Sequence, residues 1–98
     1  MALHITKYDV RIFDDRITVA LYNETDGYAL LRFLEDDKLS DYEDKWTGNF
    51  ACEMRLPISK YAAVMDLIHH NKSIAINEID GRFFIANAQE QTGGQEGI

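Results

Sequence analysis

The chain has little cysteine and little proline: Cys52 and Pro57 stand alone in 98 residues. A lone cysteine cannot form an intrachain disulfide, and a chain of this length can bury enough apolar surface to fold without disulfides or structural metals. Residues 1–4 run directly into a strand pattern, so we expect no secretory leader. These features predict a reducing, cytoplasmic setting.

Long hydrophobic runs and glycine-rich motifs are also missing. The longest apolar stretches fall far short of the roughly 20 residues that a membrane-spanning helix needs, so we expect no membrane partner. Gly27, Gly48 and Gly81 stand singly in turn-like segments, with no phosphate-binding loop or dinucleotide fingerprint. The chain also lacks a Gly-x-Ser-x-Gly nucleophile motif. We therefore expect no cofactor, and the balance leans towards a protein that is not an enzyme.

Positive charge is scarce. Ten Lys and Arg face 17 Asp and Glu, which gives a formal net charge of −7. Such a surface repels nucleic-acid phosphates, and the basic residues are interspersed with acids rather than arranged in a stripe. We expect no direct nucleic-acid binding, while a basic protein partner would be attracted. A charge of this size is also ordinary for a small soluble domain, so acidity alone does not define a function.

Period-two alternation is abundant and predicts two hairpins. Apolar and polar residues alternate over residues 8–12 and 17–21, which is typical of strands with one buried face. A turn at Asp14-Asp15 would place all six apolar side chains on one face, although Asp-Asp is a weak turn pair and leaves a longer turn open. Asp80-Gly81 is a strong turn signal and predicts a second hairpin over residues 73–88.

Two further strands and one helix lie between the hairpins. Residues 28–34 are apolar on both faces, which favours a central strand. Residues 49–56 alternate again, and the proline that follows ends the strand. Ser59 is a favourable N-cap for a helix over residues 60–70, and Asn71 can close that helix in the left-handed conformation.

The order β-β-β-β-α-β-β indicates the α+β class, with a mainly antiparallel sheet and one helix packed on one face. We expect one domain over residues 1–89 and a disordered tail over residues 90–98, where apolar content is low.

A single helix covers only one face of the sheet. Soluble monomers rarely expose a large apolar patch, so we expect a homodimer through the second face, which would carry Phe13, Tyr28, Phe33 and Phe84.

The acidity is concentrated in one segment, because residues 35–44 hold six carboxylates and one lysine. Residues 35–48, which contain this acidic segment, are either a long loop or a short helix that begins after Ser40. Aromatic residues mixed with charge are typical of contact sites, although such rings also pin loops to their own domain. The segment lacks the ligand spacing of an EF-hand. The predicted binding residues are Asp36, Asp37, Asp41, Tyr42, Glu43, Asp44 and Trp46.

A second set of residues describes an alternative pocket, and its members are Cys52, Arg55, Tyr61, His69 and His70. The two histidines are adjacent on the predicted helix and face different ways, so they are poorly placed to share a metal. Their position at the helix C-terminus is explained by the helix dipole. Cys52 alternates with core residues, which is typical of a buried, inert thiol.

Three functions remain open at this point. The first is a small acidic, non-enzymatic interaction protein, such as an inhibitor, an immunity factor or a nucleic-acid mimic. The second is a small-molecule-binding domain or modest enzyme, with a pocket between helix and sheet or at a dimer seam. The third is an assembly subunit. A deep pocket lined by the alternative set favours the second function, whereas a filled core with an acidic surface favours the first.

Overall fold

The computed structural model describes residues 3–25, 27–41, 43–48, 51–71 and 73–87. This part of the chain forms eight strands, one α-helix and two short 3₁₀ helices. The strands are β1 (Leu3–Ile5), β2 (Lys7–Ile12), β3 (Ile17–Tyr22), β4 (Tyr28–Leu34), β5 (Lys45–Gly48), β6 (Ala51–Pro57), β7 (Ile74–Ile79) and β8 (Arg82–Asn87). The α-helix is α1 (Tyr61–His70), and the 3₁₀ helices cover Asp36–Asp41 and Ile58–Lys60. The predicted tail, residues 90–98, lies outside the described residues.

The strands form two sheets, in the orders β1-β7-β8 and β2-β3-β4-β6-β5. Neighbouring strands are antiparallel, except that β4 and β6 run parallel. The predicted α+β class, with mainly antiparallel pairing and one helix packed against it, is confirmed. The structure adds two short strands, β1 and β5. None of the helices in the described residues is long and apolar enough to cross a membrane.

Both predicted hairpins are present in the predicted registers. Ile12 lies opposite Ile17 in the first, and its loop is closed by the Phe13 amide, which donates to the Arg16 carbonyl at 2.8 Å. The second turns at Asp80 and Gly81, with φ angles of 52° and 79°. Positive φ at both central residues is what a two-residue turn needs to match the twist of its strands.

One hydrophobic core lies between the five-stranded sheet on one side and α1 with the three-stranded sheet on the other. β4 is the central strand of the larger sheet, as its apolar faces predicted. The buried core residues are Leu3, Ile5, Val19, Leu21, Ala29, Leu31, Phe33, Cys52, Met54, Val64, Met65, Ile68, Ile74 and Ile76. Because every layer contributes to this cluster, the two sheets depend on the same buried surface.

Both predicted caps of the helix are wrong. Ser59 lies within the 3₁₀ turn, and the N-cap residue is Lys60, whose side chain makes no capping hydrogen bond. Pro57 fixes the entry to this turn in an extended conformation. Asn71 is extended, with φ −131°, and not left-handed. Its side-chain amide instead donates to the Leu67 carbonyl at 2.8 Å, which satisfies one of the free carbonyls at the helix end.

The segment 35–48 is more regular than predicted. It is not a long loop, and its short helix begins at Asp36 rather than after Ser40. The chain then enters β5, which pairs with β6 at the edge of the larger sheet and contains a register irregularity between Trp46 and Gly48. A four-residue irregular edge strand carries too little alternation to be recognised in the sequence.

The outer face of the larger sheet mixes apolar and polar side chains. Tyr28 lies on it, and its ring centroid is 5.5 Å from that of Tyr22 on the neighbouring strand. Phe33 points into the core and is fully buried, so its predicted place on the second face is wrong. The outer face instead carries an Arg32–Glu53 ion pair at 2.7 Å and a hydrogen bond from the Tyr22 hydroxyl to Asp9 at 3.2 Å. The exposed large apolar side chains are Tyr8, Ile12, Phe13, Ile79 and Phe84.

Candidate functional site

The first half of the acidic segment is an exposed run of carboxylates. Glu35, Asp36 and Asp37 are all exposed, and the Glu35 carbonyl accepts the Lys38 amide at 2.9 Å to start the 3₁₀ helix. Aspartates in the first turn of a helix are favoured by the free amides there, which explains why this stretch folds with its acids at the front. The side chain of Asp41 and the whole of Tyr42 lie outside the described residues.

The second half of the segment is bound to the rest of the protein through β6. Asp44 is half-buried, and its Oδ1 accepts the backbone amide of Arg55 at 2.7 Å. The Arg55 guanidinium in turn donates to the Leu39 carbonyl at 2.8 Å. Asp44 therefore holds the segment against β6, whereas the exposed carboxylates before it make no such hydrogen bond.

Trp46 connects the segment to the second hairpin. Its indole Nε1 donates to Glu78 Oε1 at 2.6 Å, and its ring centroid lies 5.2 Å from that of Phe83 at an interplanar angle of 50°. Trp46 is half-buried by these contacts. The sequence left two roles open for the aromatic residues, a contact with a partner or an internal contact. Trp46 makes the internal contact, because its ring packs against the second hairpin.

A polar cleft of about 480 Å³ opens between the acidic segment and the β7–β8 turn, and it is lined by Glu43, Asp44, Arg55, Gly81, Arg82 and Phe83. It brings Glu43 and Asp44 of the predicted binding set together with Arg55 of the alternative set. Arg82 was missed by the sequence reasoning, although its place directly after the Asp80-Gly81 turn marked it as surface-exposed. The cleft is therefore lined by two carboxylates, from Glu43 and Asp44, and by two guanidinium groups, from Arg55 and Arg82.

The alternative set does not come together. Cys52 is in the core, whereas Arg55 lies at the polar cleft. The Tyr61 ring packs edge-on against Phe33, with centroids 5.3 Å apart. His69 lies beside Tyr8 at 5.7 Å, on a different part of the helix surface.

Neither the Cys52 thiol nor the His70 imidazole lies in surroundings that suit catalysis or metal binding. Burial, reinforced by the carboxylates of Asp44 and Glu53, raises the pKa of the Cys52 thiol to about 11. A thiol that stays protonated at neutral pH is a poor nucleophile and a poor metal ligand. His70 Nδ1 lies 3.0 Å from Asp66 Oδ1, which is one helical turn away. Within the described residues, no three His, Cys, Asp or Glu side chains come close enough to hold a metal ion.

An apolar groove does open between helix and sheet, where the small-molecule alternative expected a pocket. It has a volume of about 310 Å³ and is lined by Leu56, Pro57, Lys60, Ala63, Val64, Leu67 and Ile85. None of the five residues of the alternative set borders it. The groove is shallow and apolar, without the convergent polar groups that fix a small ligand.

Comparison with known proteins assigns no relative: no family model, no curated protein and no solved structure matches the chain.

Proposed function

We propose that the chain is a non-enzymatic interaction protein that binds a basic partner through the acidic surface, defined as Glu35, Asp36, Asp37 and Glu43. One observation carries this proposal. All four side chains are exposed, and none forms an ion pair with another described residue. Exposed carboxylates without an ion pair to a described residue also occur at Asp14, Glu24 and Asp80, but three acidic residues in succession occur only at positions 35–37.

The acidic surface suits a protein partner better than a small ligand. Clustered unpaired charge accelerates the encounter with an oppositely charged surface and rejects partners of like charge. An inhibitor, an immunity factor or a nucleic-acid mimic would use such a surface. A cytoplasmic location fits the reduced single cysteine and belongs to the same proposal.

Charge reversal tests the proposal. Asp36→Lys/Asp37→Lys should abolish recovery of the partner from a cell extract, whereas wild type and the control Glu24→Lys/Asp66→Lys recover it. The control makes the same charge change at exposed residues on other surfaces. Asp44 is left intact because it holds the Arg55 backbone. Equal recovery with both double variants would contradict the proposal.

A second candidate function, small-molecule binding, is supported by the polar cleft. Arg55 and Arg82 lie there beside the Phe83 ring, a combination that suits a ligand with an anionic group and a flat ring. Thermal denaturation with a panel of aromatic carboxylates and nucleotides tests this candidate. It predicts a rise in Tm for wild type that Arg82→Ala removes, and no rise with any of these probes would count against it.

We also propose that the protein acts as a homodimer. The exposed apolar side chains on the two hairpins support an assembly that covers some of them, because a second copy would remove their apolar surface from water. Sedimentation velocity of the wild-type chain at micromolar concentration measures the assembly directly, and a monomer at that concentration would contradict it.

A further inference from the structure

No strand of the described residues pairs with the outer edge of β2, and this free edge carries exposed apolar residues. β2 is the end strand of that sheet, and along it Tyr8 is 42% and Ile12 76% exposed, followed by Phe13 at 44%. An end strand presents unpaired backbone amides and carbonyls, and with apolar side chains it is a template for another strand. β2 therefore combines backbone and side-chain groups that a second strand would cover.

The hydrogen bonding of the first hairpin fixes which backbone groups of β2 face the free edge. The Phe13 amide donates to the Arg16 carbonyl, and the register continues without a shift from Ile12 opposite Ile17 to Lys7 opposite Tyr22. Because hydrogen-bonded and non-hydrogen-bonded pairs alternate in an antiparallel ladder, the odd-numbered residues of β2 bond to β3. The amides and carbonyls of Tyr8, Val10 and Ile12 therefore point to the free edge.

We propose that two copies of the chain pair through β2, antiparallel about a two-fold axis at Val10, so that their larger sheets become one continuous sheet. This interface rests on the homodimer proposed above. In this register Asp9 lies opposite Arg11 of the second copy, and Arg11 lies opposite its Asp9. Tyr8 lies opposite Ile12 of the second copy on the other face, so the contact is self-complementary, as a two-fold interface requires.

The charges select this register over its neighbours. A shift of two residues in one direction places Arg11 opposite Arg11, and a shift in the other places Asp9 opposite Asp9. Like charges directly opposite one another destabilise a strand pair, whereas opposite charges stabilise it. A shift of one residue places even-numbered residues of one copy opposite odd-numbered residues of the other, whose amides and carbonyls are already bonded to β3. It also places side chains of opposite sheet faces across from one another.

The exposure of Asp9 and Arg11 fits the same partner. Their side chains are 47% and 66% exposed, and within one chain Arg11 Nε lies 3.9 Å from Asp9 Oδ1, a loose ion pair. In the proposed register, Arg11 of the second copy lies directly across from Asp9 and pairs with its carboxylate.

Two matched substitutions test the surface. Ile12→Lys places a charge on the proposed interface, and Ile79→Lys makes the same change on the second hairpin, where Ile79 is 62% exposed. Both positions are open enough to tolerate lysine in the folded chain.

Sedimentation of the full chain should show a dimer for wild type and Ile79→Lys, and a dimerisation Kd raised at least tenfold for Ile12→Lys. A wild-type dimer that both lysine variants weaken equally, or that neither weakens, overturns the β2 interface but leaves the homodimer intact. A wild-type monomer overturns both.

A charge swap tests the register. Asp9→Arg and Arg11→Asp each create like-charge pairs across the two-fold axis, and each should raise the dimerisation Kd by about tenfold. The double variant Asp9→Arg/Arg11→Asp restores opposite charges and should return the Kd towards the wild-type value. Glu24→Arg and Lys60→Asp make the same charge changes elsewhere and should leave it unchanged. A double variant no better than the weaker single variant overturns the register, since general destabilisation cannot produce rescue.

Discussion

Cys52 lies fully buried on β6, where the carboxylates of Asp44 and Glu53 oppose the loss of its proton. Burial and the two negative charges act in the same direction, with burial the larger effect. The raised pKa keeps the thiol protonated through neutral pH, so it packs as a small apolar group. Its buried position therefore sets its chemistry, and partner binding at the acidic surface does not depend on it.

The raised pKa of Cys52 predicts a loss of stability at alkaline pH. The ordinary pKa is 9.0 and the folded value is about 11. Between these values the unfolded chain binds fewer protons than the folded one, so the free energy of unfolding falls as pH rises. Denaturant unfolding from pH 8 to 11 should show a decline of about 2 kcal/mol in wild type beyond that in Cys52→Ala. Equal declines in both proteins would contradict the assignment.

At the scale of single elements, the acidic segment divides into two halves with different tasks. The 3₁₀ helix Asp36–Asp41 presents exposed carboxylates, whereas Asp44 and Trp46 bind the segment to β6 and to the second hairpin. Residues of the same type therefore differ in their energetic role within a few positions. The carboxylates of the acidic surface can therefore meet a partner without loss of a hydrogen bond to another described residue, whereas that of Asp44 cannot.

Alanine substitution should separate the two halves. Asp44→Ala leaves the half-buried Arg55 amide without its acceptor and should lower the free energy of unfolding by about 1–3 kcal/mol. Asp37→Ala removes an exposed side chain and should change it by no more than about 0.5 kcal/mol. Denaturant titration at neutral pH measures both. A loss at Asp37 as large as that at Asp44 would show that the 3₁₀ helix has a structural role too.

The same elements show what the sequence could predict. The hairpins follow from local patterns, since the alternation and the Asp80-Gly81 turn are readable within a few residues. The contacts of Trp46 and Asp44 are not readable, because their partners lie 32 and 11 residues away and are brought near only by the packing of β5 against β6 and the second hairpin. The concentration of acids in this segment is readable from the sequence, whereas its division into exposed and hydrogen-bonded carboxylates is not, because burial decides it.

The free edge of β2 illustrates the same limit. The alternation of Tyr8, Val10 and Ile12 predicted a buried face, and Val10 does pack against the core. Tyr8 and Ile12 stay exposed because β2 is an end strand, and strand order is a property of the whole sheet that no local pattern encodes. The local prediction of the strand was correct, and the tertiary arrangement decided which of its residues reach solvent.

At the scale of the whole molecule, two sheets and one helix share one hydrophobic core. Phe33 of the larger sheet and Ile76 of the smaller one are both fully buried in it. Trp46 adds a polar link between the sheets through Glu78. Neither sheet has a separate core of its own among the described residues, so each should be unstable without the other.

This shared core predicts a single cooperative unfolding transition. Trp46 is the only tryptophan and lies where the sheets meet, so its fluorescence reports the junction while far-ultraviolet circular dichroism reports the strands. The two midpoints should coincide at a fixed protein concentration. Phe33→Ala and Ile76→Ala each leave a cavity in the common core. Each should lower the free energy of unfolding by about 3 kcal/mol, and by the same amount whether it is measured by fluorescence or by circular dichroism. A variant that shifts one signal and not the other would show that the sheets unfold separately, and that the Trp46 link, rather than the core, holds them together.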